Sequence, residues 1–339
     1  MTKPSLSADV DATSNPKVFM TAPKIVALVL FPILVVETLM TTLGATDPSL
    51  VILGFGVAAL FLIEIFRRWF LKEPVKRDVL SDATTSLAVS AITRFLNILL
   101  VFPLGFIWMK FLTEHTPINL EQGIANLFGG DLNNGWAIAL TLALALIGVD
   151  FLYYCAHRVG HRVELAWGSH SVHHSSEHYN PSTAIRISFL DEFWDVVAIS
   201  ALCLLGIGPL YVIGAFSIVL LYQLPLHQTW SPQLPRWYEY LFNTPHHHRI
   251  HHAFQKVYID KNFGGILIIW DRMFGSFVGI DALQPPNYGL TIPVGTYNPL
   301  KVLFSELGHM GSKVRQAKSA SAAFGYVFKE PYWEPASKN

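Results

Sequence analysis

Residues 136–161 read WAIALTLALALIGVDFLYYCAHRVGH. From Trp136 to Tyr154 the run is apolar apart from Thr141 and Asp150. About 20 such residues cross a bilayer as a helix. The run then delivers His157 and His161, four apart and so on one helix face. A spanning helix whose end carries paired imidazoles predicts a membrane stem with a histidine-rich cap.

Three further apolar runs precede this one: Ile25–Leu43, Leu50–Phe66 and Ala83–Leu112. They explain a chain that is 52% hydrophobic and 14% charged, with a mean hydropathy of +0.38. Soluble globular proteins carry more charge than this. Four spanning helices are expected. The net charge of +0 offers no bulk attraction to nucleic acid. Cys155 and Cys203 form neither a CxxC pair nor a disulfide framework. Residues 1–20 are polar and read as a disordered tail; nothing in them resembles a cleaved signal, so the first apolar run is expected to be retained.

Lys and Arg in short loops report orientation. Lys3, Lys17 and Lys24 precede the first run, and Arg67, Arg68, Lys72, Lys76 and Arg77 follow the second. The loops at 44–49 and 113–135 have none. The N-terminus is therefore expected in the cytoplasm, and the fourth span emerges there near Tyr154. Phe193–Leu226 is 34 residues long. As one helix it would reach about 50 Å, against a hydrocarbon core of about 30 Å. Gly206-Ile-Gly208-Pro209 interrupts it, and Gly and Pro turn a helix. The expectation is a re-entrant hairpin of two half-length helices, entering and leaving on the cytoplasmic face.

Twelve of the fourteen histidines lie between 157 and 252. HxxxH at 157–161 is followed by HxxHH at 170–174 and again at 248–252. Spacings of three and four share a helix face, so each motif aims two or three rings one way. As packing these rings would be costly, since each nitrogen needs a partner. Eight imidazoles exceed one tetrahedral zinc and suit two ions with open positions. Imidazole accepts zinc, copper, iron and nickel alike, so the metal is not named by its ligands.

The histidine series resembles that of the fatty acid hydroxylase, or sterol desaturase, superfamily. DFLYYCAHR (150–158), HSVHHSSEHYN (170–180), NTPHHHRIHH (243–252), and YIDKNFGG (258–265) with WDRMFGS (270–276) look like the alkylglycerol monooxygenase branch. The resemblance covers roughly residues 135–300. It implies a membrane-bound enzyme in which two iron ions use O2 to hydroxylate a C–H bond of a lipid, by ether-lipid cleavage or by fatty-acyl or sterol-type hydroxylation. It implies His157, His161, His170, His173, His174, His248, His251 and His252 as iron ligands. His227 falls where the family places an additional one. An external reductant is implied, tetrahydrobiopterin in that branch, because no fused electron-transfer domain is visible. The partners expected are thus a membrane lipid and an electron donor, in the bacterial inner membrane or the ER membrane.

Metal-bound histidine hands its other N–H to a carboxylate or carbonyl. Asp150, two helical turns before His157, is a candidate for that role, as are Glu177, Asp191 and His247. Asp195, Asp271 and Arg94 are weaker candidates, Arg94 for a lipid head group. The alternative function is a zinc-dependent membrane lipid hydrolase, which needs about three protein ligands and a base. The fold class expected is all-α: four transmembrane helices, the re-entrant hairpin, and a cytoplasmic histidine-rich helical cap holding a dimetal site. By segment, 1–20 is tail, 21–135 N-terminal transmembrane helices, 136–300 the catalytic domain and 301–339 a C-terminal tail.

Overall fold

The computed structural model describes residues 77–232, 234–279 and 284–335, with scattered positions between 59 and 71. The tail 1–20, the run Ile25–Leu43, most of Leu50–Phe66 and the orienting lysines before residue 77 lie outside the described residues. Among the described residues every regular element is helical, and the two β-bridges are isolated.

The third apolar run forms one rod of 39 residues. It comprises α1 (Arg77–Leu96), a π-helical turn (Asn97–Val101) and α2 (Phe102–His115). The wide turn falls where Pro103 lacks the N–H that the Leu99 carbonyl would otherwise receive. After α3 (Leu120–Asn126), α4 (Gly135–Arg162) runs 28 residues, started by the Asn134 side chain accepting from the backbone N–H groups of Trp136 and Ala137. Arg77–His115, Gly135–Arg162 and Pro209–Leu226 are each long and apolar enough to cross a membrane. This is the build of a membrane protein.

The helix α5 (Glu164–His174) turns back from the end of α4. Next come a 3-10 turn (Pro181–Ile185) and two helical arms that turn back on each other. The outward arm is α6 (Phe189–Ile199) with a 3-10 extension (Ser200–Leu205). The return arm is α7 (Pro209–Gln223) with a 3-10 turn (Leu224–Leu226). Gly206 makes the break with φ +75°, and a Cβ there would lie 2.2 Å from the Ile118 carbonyl oxygen. Only glycine fits both constraints. Thr116 Oγ1 donates to the Leu204 carbonyl at 2.6 Å. The tip therefore rests on the 116–119 loop, which joins α2 to α3 at the end of the stem remote from the histidines.

The arms are consequently not half-length. At about 1.5 Å per α residue and about 2.0 Å per 3-10 residue, the outward arm extends about 28 Å, nearly the hydrocarbon thickness of about 30 Å. Both ends of the hairpin return to the histidines. Val149 and Tyr153 of α4 pack between the arms, against Val196, Ile199, Val212, Ala215 and Val219.

The cap continues with α8 (Arg236–Leu241), α9 (Pro245–His251) and α10 (Ile269–Met273). Where a C-terminal tail was expected, α11 (Pro299–Arg315) and α12 (Ala320–Phe328) form a packed pair. Val302 and Leu303 bury against Val89 and Val172, and Leu307 presses on Gly168 of α5. A buried ion pair, Arg186 Nη1 to Asp82 Oδ1 at 2.7 Å, ties α1 to the segment after α5.

Candidate metal centre

The last turns of α4 carry His157 and His161, and the last turns of α5 carry His170, His173 and His174. His227 follows the return arm of the hairpin. Helix α9, capped by Thr244, supplies His248 and His251, with His252 at its end. The structure gathers these nine into two buried groups. One is His157, His161, His170, His174 and His251; the other is His173, His227, His248 and His252. Within each group one nitrogen from every ring lies within 4.8 Å of those of the others. The rings of His174 and His252 stack at 4.4 Å and join the groups.

The hydrogen bonds on the outer nitrogens fix what faces inward. His157 Nδ1 donates to the Phe263 carbonyl at 2.8 Å, His251 Nδ1 to the Lys261 carbonyl at 2.9 Å, and His227 Nδ1 to the Gln223 carbonyl at 3.0 Å. His170 Nδ1 donates to Asp191 Oδ2 at 2.9 Å. Carbonyls and carboxylates only accept, so each of these rings holds its proton on Nδ1 and turns the Nε2 lone pair inward. Yet His157 Nε2 and His170 Nε2 stand 3.1 Å apart. Two lone pairs at that distance need a cation between or beside them. The Nε2 atoms of His161, His174 and His251 are buried and have no hydrogen-bond partner among the described residues. An ion about 2.1 Å from two imidazole nitrogens at right angles sets them about 3.0 Å apart, as seen here and between His248 and His227 at 2.9 Å. The donor set fits metal ions.

Burial, and after it the neighbouring imidazoles, hold His173, His174, His248 and His252 well below the usual histidine range. Burial brings His227 down to about 4 and His251 to about 3. The rings are therefore neutral at pH 7, as metal ligands must be.

The supporting residues divide. Asp191 meets His170 Nδ1 through Oδ2 at 2.9 Å. Asp150 touches no histidine: its carboxylate accepts from Ile266 N at 2.6 Å, Leu267 N at 3.1 Å and Trp270 Nε1 at 2.8 Å. It lies on the His157 face, but seven residues up a helix is about 10 Å away. Glu177 is exposed, because α5 ends at His174 and the helical phase stops with it. His247, turned away from its neighbour His248, packs on Phe277 and meets Thr244 Oγ1 at 3.2 Å; it belongs to neither group.

Sequence reasoning missed the segment that serves these rings. Asp260 and Asn262 adopt left-handed φ of 61° and 57°, which turns the carbonyls of Lys261 and Phe263 onto His251 and His157. Asn262 is buried and holds this shape by donating to the carbonyls of His247 and Val278. Asp271 completes it by accepting from Phe263 N and Gly264 N. The quoted YIDKNFGG…WDRMFGS blocks were the visible signal, but their role as outer supports was not.

A cavity of about 340 Å³ runs between the rod and the hairpin and ends on His170, His173 and His227. Phe102, Phe106, Met109, Ile199, Ile213 and Phe216 line its body, and Asp191, Glu192 and Asp195 its histidine end. A second cavity of about 280 Å³ reaches His161, His174, His251 and His252 from the far side.

Residues 142–276 match the family model described as fatty acid hydroxylase. Human alkylglycerol monooxygenase is 35% identical over 278 residues, which is 82% of this chain and 58% of the human protein. The zebrafish (Danio rerio) enzyme of the same name is 34% identical over 280 residues, 81% of this chain and 58% of that one. The chain thus spans a little over half the length of these relatives. Ornithine lipid hydroxylase OlsE of Rhizobium tropici is 29% identical over 168 residues, 46% of this chain and 47% of that protein. No solved structure matches the chain. The histidine-bearing core, residues 142–276, thus carries a fatty acid hydroxylase domain.

Proposed function

We propose that the chain is a membrane-bound di-iron monooxygenase that hydroxylates a lipid C–H bond with O2. The observation that carries this reading is the facing pair of lone pairs on His157 and His170, at the end of an apolar cavity. Nine buried imidazoles in groups of five and four suit two ions better than one. The names of the relatives point to a lipid and to a monooxygenase, and the ether-cleaving option follows the alkylglycerol relatives.

Bound iron supplies O2 activation and oxidation of a C–H bond. The chain's own residues do the rest. Asp191 and the carbonyls of Gln223, Lys261 and Phe263 hold each ring in the tautomer that a metal needs. The apolar cavity excludes water and steers a chain so that one carbon stops beside His170, His173 and His227. Electrons come from an external reductant, a tetrahydrobiopterin by analogy with the alkylglycerol branch. The cap faces the cytoplasm, by the charge pattern of the loops.

The test is anaerobic purification with iron, then O2 uptake with 1-O-alkylglycerols and acyl lipids in the presence of reductant. The expected result is two iron ions per chain and lipid-dependent O2 consumption, with aldehyde from ether substrates. One metal ion per chain and lipid hydrolysis without O2 uptake would replace this reading with a zinc hydrolase.

A further inference from the structure

Two cavities reach the histidines, and their walls differ. The body of the first lies between spanning helices and is apolar. The second, of about 280 Å³, ends on His161, His174, His251 and His252. Apart from His161, in the last turn of α4, none of its lining residues belongs to a segment long and apolar enough to span. Glu330, whose side chain is 71% exposed, stands at its mouth.

A metal ion has to come in from water. A divalent cation stripped of its hydration is not tolerated between apolar walls, so the first cavity is closed to it. The second offers oxygen atoms in steps. Inward of Glu330 lies Asp260, with its side chain 24% exposed, and its Oδ1 stands 3.9 Å from Nδ1 of His161, whose ring is 7% exposed. Beyond it are the buried Nε2 atoms of His161, His174 and His251, which have no hydrogen-bond partner among the described residues. Carboxylates thus lead from solvent to lone pairs that accept a metal. An ion pair shuts the mouth. Arg162, outside the lining, sets Nε against Asp260 Oδ2 and Nη1 against Glu330 Oε1, each at 3.0 Å. Arg158 and Lys261 are the other cations near Asp260. Part-exposed pairs of this kind are weak, so an arriving cation can displace the guanidinium. The C-terminal segment fixes the arrangement. Glu164 N donates to the Lys329 carbonyl at 2.9 Å and Tyr332 N to Glu164 Oε2 at 3.2 Å, which lays Glu330 across the junction of α4 and α5.

Resting on the metal reading of the site, we propose that the second cavity is the route by which divalent metal ions load, with Glu330 and Asp260 as transient oxygen ligands and Arg162 as the closing cation. Lipid and metal then reach the histidines through separate cavities, and the C-terminal segment is a wall of the metal route.

Loading is followed on the metal-free protein in detergent with cobalt(II) alone, whose visible absorption reports imidazole coordination. Uptake rate, release rate to a chelator and final stoichiometry are measured. Glu330→Lys should slow uptake by about tenfold or more. Thr291→Trp, which adds an indole to the cavity wall, should slow it likewise, and Arg162→Gln should speed it. In each variant release should change by the same factor as uptake, so that affinity and stoichiometry hold; a structural defect would move them instead. In phosphatidylcholine nanodiscs, which cover the spanning helices and leave the cap in water, the wild-type rate should match that in detergent. That comparison stands even if a variant fails to fold. A wild-type rate in any of the three variants, slowing that comes only with lost affinity, or uptake lost in nanodiscs overturns the proposal and leaves the metal reading intact. A wild-type protein that binds no cobalt however long it is exposed sinks both.

Discussion

Replacing Asp191 by Asn tests how the tautomers are held. In the wild type, Asp191 Oδ2 takes the Nδ1 proton of His170 at 2.9 Å, which leaves the Nε2 lone pair facing that of His157 at 3.1 Å. An asparagine can turn its NH2 toward His170. The ring then accepts at Nδ1, carries its proton on Nε2 and donates to His157. Facing lone pairs become an ordinary hydrogen bond, and His170 withdraws as a ligand. Loss of such an orienting partner costs metal affinity about 10- to 100-fold, or about 1.4–2.7 kcal/mol. The metal-free protein gains a hydrogen bond worth about 1 kcal/mol. The assay is anaerobic titration against a competing chelator, with thermal unfolding of both forms. The group of five should lose affinity, the group of four should keep it, and the metal-free protein should melt no lower than wild type. If both groups weaken together, or the metal-free variant is destabilised, Asp191 is a structural residue and the tautomer reasoning fails.

Three further outcomes follow from the geometry. Asp150→Ala leaves Ile266 N, Leu267 N and Trp270 Nε1 without an acceptor, and should lower unfolding stability by about 3 kcal/mol or more, read by denaturant titration in detergent. Asp82→Ala strands Arg186, whose side chain is 2% exposed, and should cost about 3–5 kcal/mol. Asp82→Leu with Arg186→Met should cost less than the sum of the two single changes, since no charge is then left buried alone; a thermal double-mutant cycle measures it. The metal-free protein should lose stability on acidification. His173, His174, His248 and His252 have folded pKa values depressed below an unfolded value of about 6.5, as do His227, at about 4, and His251, at about 3. Above pH 6.5 neither state binds the proton. Below it the unfolded chain takes protons that the folded chain refuses, so stability falls by up to about 1.4 kcal/mol per pH unit per histidine until the folded pKa is reached. Flat stability between pH 6.5 and 4 would show the rings already protonated in the fold.

The sequence announces the inner ring nitrogens and conceals what holds the outer ones. HxxxH and HxxHH are helical spacings, so local structure alone fixes which rings share a face, and the rings of α4, α5 and α9 do converge. The partners of those rings are backbone carbonyls of Lys261 and Phe263, which carry no residue signature. Their aim depends on left-handed turns at Asp260 and Asn262 that only the packed cap stabilises. Asp150 shows the limit of reasoning from helix phase, which gives the angle around the axis and ignores the rise along it. Seven residues restore the angle but separate the groups by about 10 Å, so the carboxylate serves a different loop. The hairpin shows the same limit in another form. Gly206 and Pro209 reveal where the chain turns. How far it travels first depends on Ser200–Leu205 tightening into a 3-10 helix against α2, where the Trp108 indole N–H donates to Ser200 Oγ at 3.1 Å. That extension lets the hairpin reach the far loop while both its ends stay at the metal groups. The cavity, with Asp195 at its polar end, is the space left between this long hairpin and the rod beside it.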